Sequence, residues 1–170
     1  MISVVAIASS LVSAIAVLQS TLLRFIELLG SQPDLVLVVV VFVANKNGMM
    51  TGQVTGFVGG VVLDSIGLAP LGFHAIAYAV IGALFGLTRG KVFVDPVLMP
   101  VLMGASGVLL KAMIGGLLAV LFTMQGVTSE VLSAPLWVEL GYTALATPVL
   151  FALLGLIRLI QPDTRHGEVF

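Results

Sequence analysis

The chain has 170 residues, 59% of them hydrophobic, with seven basic and eight acidic side chains and a formal net charge of −1. A soluble domain of this length would hold roughly 40 charged residues at the usual quarter of the composition. With a mean hydropathy of +1.23, the shortfall excludes a water-soluble globule, a disordered chain and a charged tail for nucleic acid.

The composition is that of an integral membrane protein. A span needs about 20 apolar residues, because the hydrocarbon layer is about 30 Å thick and a helix rises 1.5 Å per residue. Six spans would use roughly 120 residues and leave only short loops and tails. The whole chain, 1–170, therefore reads as one integral membrane domain, an all-α, polytopic bundle of six transmembrane helices. The apolar runs are long, unbroken and rich in Leu, Ala and Gly, unlike the short alternating strands of an outer-membrane barrel. There is no cysteine, hence no disulfide and no thiolate metal site.

The first helix is expected over 2–23, ended by Arg24 and Glu27. Ala14-Ile15-Ala16 imitates a signal-peptide cleavage site, but no Lys or Arg precedes Arg24, so a retained helix is the expectation. The second, 33–45, opens at Pro33-Asp34, where proline suits the first turn and the carboxylate suits the positive end of the dipole. Its apolar core stops at Asn45-Lys46-Asn47-Gly48 and is short for a span. It should borrow length from 25–29 or lie where the protein is thin. The third helix is expected over 49–66 and the fourth over 71–88, after the turn Gly67-Leu68-Ala69-Pro70. The fifth, 97–123, is long enough to tilt; the sixth, 135–160, holds Pro148 and should kink there.

These spans put Lys46, Arg89, Lys91, Arg158 and Arg165 on one side together with both termini. Arg24 alone falls on the other side. The bias predicts cytoplasmic termini and an external 124–134 loop.

Small residues recur along three helices. The third carries Gly52, Gly56, Gly59 and Gly60, the first Ala6, Ser10 and Ala14, and the fifth Gly104, Gly107, Gly115 and Gly116. Such stripes let helix backbones approach closely where lipid supplies no hydrophobic drive. For the third helix, packing inside the bundle is the first reading and a surface for a partner helix the second.

No constellation suggests an enzyme, a cofactor or a metal. His74 and His166 are far apart, and neither a phosphate-binding loop nor a nucleophile elbow occurs. A Ser65–His74–Asp64 triad can be drawn only on paper, since Asp64 and Ser65 end one helix and His74 opens the next. Charges at membrane depth are costly and ask for a reason. Asp64 lies about 22 Å along the third helix and Lys111 about 21 Å along the fifth. Similar depth predicts an Asp64–Lys111 ion pair if the two helices are neighbours, with Glu139 as competitor; snorkelling and a water-filled pocket are the alternatives.

The order Pro33-Asp34 before an apolar run, then Gly52, Gly56 and Gly59-Gly60, then Leu63-Asp64, Gly67 and Pro70-Leu71-Gly72 resembles the MreD family, the rod shape-determining membrane proteins of bacteria. The resemblance covers most of the chain in length and helix count, and its specific residues cluster between 33 and 90. It implies a bundle similar to the substrate-binding subunits of energy-coupling-factor vitamin transporters. It also implies a place in the bacterial inner membrane and in the cell-elongation machinery. There the protein would pair with the single-span protein MreC and help organise peptidoglycan synthesis, alongside MreB, a lipid-II polymerase and its transpeptidase. Membrane lipid is the other partner; nucleic acid is not one. The competing expectation is a vitamin-transporter subunit itself. That would need a pocket lined by aromatic and hydrogen-bonding groups, and Trp137, Tyr78 and Tyr142 are the only Trp and Tyr residues available.

Overall fold

The computed structural model describes residues 2–22, 31–89, 97–121 and 134–157. It contains six α-helices: α1 (Ile2–Leu22), α2 (Leu35–Asn47), α3 (Met49–Ile66), α4 (Phe73–Gly86), α5 (Leu98–Leu121) and α6 (Ala134–Gly155). The expected spans differ from these by a few residues at most ends, and the third coincides. The expected extension of the second span into 25–29, and Arg24, Lys91, Arg158 and Arg165 of the charge count, lie outside the described residues. Helices α1, α5 and α6 are each long and apolar enough to cross a membrane; α2 and α4 are shorter apolar helices. Helix α6 runs through Pro148 as one continuous element.

The short second helix is the centre of the bundle. Its 13 residues rise only about 20 Å. Every residue from Val36 to Asn45 is buried, and α1, α3, α4, α5 and α6 all pack against it. A helix too short for the hydrocarbon layer has terminal N–H and C=O groups at membrane depth, where lipid offers no partner. Placing it inside the protein resolves this, because neighbouring side chains can meet those groups. Asp34 is the N-cap: its carboxylate accepts from the Leu37 N–H at 2.9 Å. Pro33 precedes the cap, so the helix starts two residues later than expected. At the other end Asn45, Lys46 and Asn47 remain helical until Gly48, whose φ of 95° suits glycine. The Gly48 N–H closes α2 on the Ala44 carbonyl at 2.8 Å. This one residue also links α2 to α3.

Helices α3 and α4 run antiparallel in close contact, and glycine makes the contact fit. A Cβ on Gly56 would collide with the Tyr78 carbonyl, and one on Gly60 with the Ala75 backbone. A Cβ on Gly52 would lie 2.6 Å from the Gly82 carbonyl oxygen. Gly59 faces elsewhere, with a Cβ there 2.9 Å from Val12 of α1. The α3 stripe is thus used in packing inside the bundle. On α1 the division is different: Ala8, Val12, Ala16 and Gln19 are buried, whereas Ala6, Ser10 and Ala14 are exposed on the opposite face.

Two substitutions test the glycine argument. Gly56→Leu should destabilise the bundle by about 1–3 kcal/mol through overpacking, read as a lower unfolding temperature in detergent. Gly141→Ala in α6, where a Cβ would meet nothing within 4 Å, should be neutral or stabilise by about 0.5–1 kcal/mol. Equal effects of the two would dismiss close backbone approach as the role of Gly56.

The candidate functional site: a charged cavity at the N-terminus of the central helix

Because α2 begins deep in the bundle, a space remains beyond its first turn. That space is a cavity of about 500 Å³, bordered by α1, α3, α4, α5 and α6 and by Ser31, Gln32 and Asp34, which lead into α2. Four of those helices send polar groups to the α2 terminus. Gln19 of α1 accepts the Val36 N–H at 3.1 Å, and Thr143 of α6 accepts the Asp34 N–H at 3.0 Å. Tyr78 of α4 donates its hydroxyl to Asp34 Oδ2 at 2.6 Å. Lys111 of α5 donates to the same oxygen at 2.6 Å and to Oε1 of Glu139 on α6. The sequence of demands is simple. The orphan N–H groups of α2 call for an acceptor, the buried carboxylate calls for a cation, and the ammonium takes a second carboxylate.

Lys111 and Asp64 do not pair, which corrects the expectation drawn from equal depth. Helix α4 packs between α3 and α5, so the two residues share a level without being neighbours. Asp64, buried on α3, is also fully engaged at the start of α4. It accepts from the N–H groups of Gly72 at 2.9 Å, His74 at 3.0 Å and Ala75 at 3.2 Å, and from His74 Nδ1 at 2.8 Å. The backbone turn through Pro70 and Gly72 brings these donors together, and Gly72 has a φ of 99°. A carboxylate in this position stands in for a missing turn of helix. Ser65 is not beside it in any triad, since its hydroxyl bonds back to the Val61 carbonyl at 2.7 Å.

Glu139, the competitor, is one real partner of Lys111. The other is Asp34, whose place at the start of an apolar run suggests no more than a residue suited to the helix dipole. One signal could have found it: the apolar run after Asp34 is too short to reach a membrane surface at both ends.

A family model described as rod shape-determining protein MreD matches residues 1–160. No curated protein and no solved structure matches the chain. The match takes in every helix, the glycine stripe and the charged cluster, and the chain belongs to the MreD family.

Breaking the cluster has a directional consequence. Lys111→Met leaves two carboxylates uncompensated at membrane depth and should cost about 3–5 kcal/mol; Asp34→Asn should cost a comparable amount. The double variant should recover part of the summed loss, as partners in one network do. Asp64→Asn should add to Lys111→Met without such recovery, since the two have no shared partner. Thermal unfolding in detergent measures all of these, and recovery in the Asp64 combination instead would reassign the partner of Lys111.

Proposed function

From membership of the rod shape-determining MreD family, we propose that this protein is a non-enzymatic scaffold of the bacterial cell-elongation machinery. It sits in the inner membrane, pairs with an MreC-like single-span protein and helps organise peptidoglycan synthesis with MreB, a lipid-II polymerase and its transpeptidase. The observation that carries the pairing is the exposed small-residue face of α1. Ala6, Ser10 and Ala14 recur every four residues on the outer surface of that helix, and Ser10 returns its hydroxyl to the Ala6 carbonyl at 2.9 Å. A face without bulk and with its polar group satisfied suits close approach by a partner helix within lipid. Cytoplasmic termini are part of the same reading. Lys46 at the end of α2 and Arg89 after α4 belong to one end of the bundle, where Arg89 Nη1 donates to the Asn47 carbonyl at 3.3 Å. Basic residues gathered at one end support that end as cytoplasmic.

One observation favours a second reading, the substrate-binding subunit of a vitamin transporter: the cavity at the α2 terminus. Purification under mild detergent separates the two. A single-span coiled-coil protein in the eluate supports the scaffold, whereas an ATPase pair or a retained vitamin supports transport.

Photo-crosslinkers placed along α1 should capture the single-span partner at positions 6, 10 and 14 and not at the buried Ala8 and Val12. Capture without helical periodicity would remove α1 as the interface. A reporter that fluoresces only in the cytoplasm should be active after Phe170 and silent near Ser129; the opposite pattern would invert the orientation.

A further inference from the structure

The groups lining the cavity are unequally engaged. Asp34 is closed, with Oδ1 holding the Leu37 N–H and Oδ2 holding Tyr78 and Lys111. Glu139 accepts only from Lys111, through Oε1, so Oε2 has no protein partner among the described residues. Its side chain is 19% exposed. His74, 28% exposed, turns Nδ1 toward the Asp64 carboxylate. A carboxylate only accepts, so Nδ1 carries the hydrogen of that bond. Gln32 borders the same cavity, and its Oε1 is buried with no hydrogen-bond partner. The unengaged donors facing these acceptors are the third N–H of the Lys111 ammonium and the side-chain amide N–H groups of Gln19 and Gln32.

The charge balance is one-sided. Asp34 and Glu139 bring two carboxylates to one ammonium, which leaves the lining with a surplus negative charge. Both the unmet acceptors and the surplus charge ask for a donor that is also a cation. The described residues contain no group of three His, Asp or Glu side chains able to hold a metal ion. The volume, about 500 Å³, lies in the range of small-molecule sites.

We infer that this cavity binds a small organic monocation with N–H donors, an alkylammonium or guanidinium group, seated against Glu139 and Gln32 beside the Lys111–Asp34 pair. A charged donor makes the stronger hydrogen bonds to a carboxylate, and a buried acceptor such as Gln32 Oε1 regains a partner it otherwise lacks. Phe73 and Leu136, which also line the space, provide an apolar wall for the alkyl part of the ligand.

The test uses the purified full chain in detergent, with no partner present. The probes are n-butylammonium, n-butylguanidinium, the equally long alcohol n-butanol, and butyrate. Titration calorimetry should give the two cations at least about tenfold lower Kd than the alcohol, the ratio expected of a charge-assisted hydrogen bond. Both cations should raise the unfolding temperature, as any ligand selective for the folded state does. Glu139→Gln should weaken cation binding about tenfold or more. Gly115→Leu should abolish it by filling the cavity. A Cβ at Gly115 meets only the Phe73 ring, at 3.6 Å, so the backbone there has room for a side chain, and the unfolding temperature of the variant checks that it folds.

Nanodiscs of phosphatidylethanolamine, compared with phosphatidylglycerol, identify the source of the ammonium. Competition with the probe only in phosphatidylethanolamine supports the site and names a lipid headgroup as its occupant. Equal probe binding in both lipids supports the site and names a free amine. Butyrate or butanol binding as tightly as the cations would overturn the inference, as would cation binding unchanged in Gly115→Leu. Neither result touches the pairing with a single-span partner, which is measured separately.

Discussion

Lipid cannot hydrogen-bond, and the second helix is too short to carry both of its ends to water. Most of the architecture follows from that constraint. The first N–H groups of α2 have to be met inside the bundle, and Asp34, Gln19 and Thr143 meet or anchor them from three different elements. A carboxylate at that depth is tolerable only with a cation beside it, which is Lys111, and Lys111 in turn engages Glu139. The polar cluster is therefore one connected answer to a shortfall in helix length, and the cavity is the remainder of that shortfall.

Elsewhere the bundle relies on shape. Lipid chains are as apolar as Leu or Val, so burying α2 gains little from hydrophobic transfer, and packing has to supply the cohesion. The run of valines in α2 supplies stiff side chains with few rotamers to lose. Between α3 and α4 the same end is reached by removing side chains altogether, so that backbone lies on backbone. The charged cluster ties five helices together at one end, while glycine and valine hold the middle.

Helix number and type were legible in the sequence because hydrophobic runs and their interruptions are local properties. The α3 limits were set by Gly48 on one side and Gly67 on the other, both visible as letters. The glycine stripe was legible as packing too, since its spacing of four puts Gly52, Gly56 and Gly60 on one face. Partners across the bundle were not legible in the same way. Distance along a helix gave Asp64 and Lys111 one shared coordinate, but adjacency depends on how helices are arranged around α2, which periodicity does not encode. The unusual shortness of the 33–45 segment is visible in the sequence, where it fits borrowed length from 25–29 or a thin part of the protein; its meaning as an internal helix depends on the tertiary arrangement.

The one-residue link at Gly48 has a consequence for biosynthesis. With Ala44 folded back against Gly52, α2 and α3 form a hairpin with no slack between its arms. Asp34 travels with it. Its cation lies 77 residues further along the chain, a delay of roughly 4–15 s at ordinary rates of translation. During that interval the carboxylate is held by its own helix and, once α4 has arrived, by Tyr78. The emergence of α5 then supplies Lys111. Glu139 and Thr143 follow on α6, so the cluster is complete only when the last helix is in place.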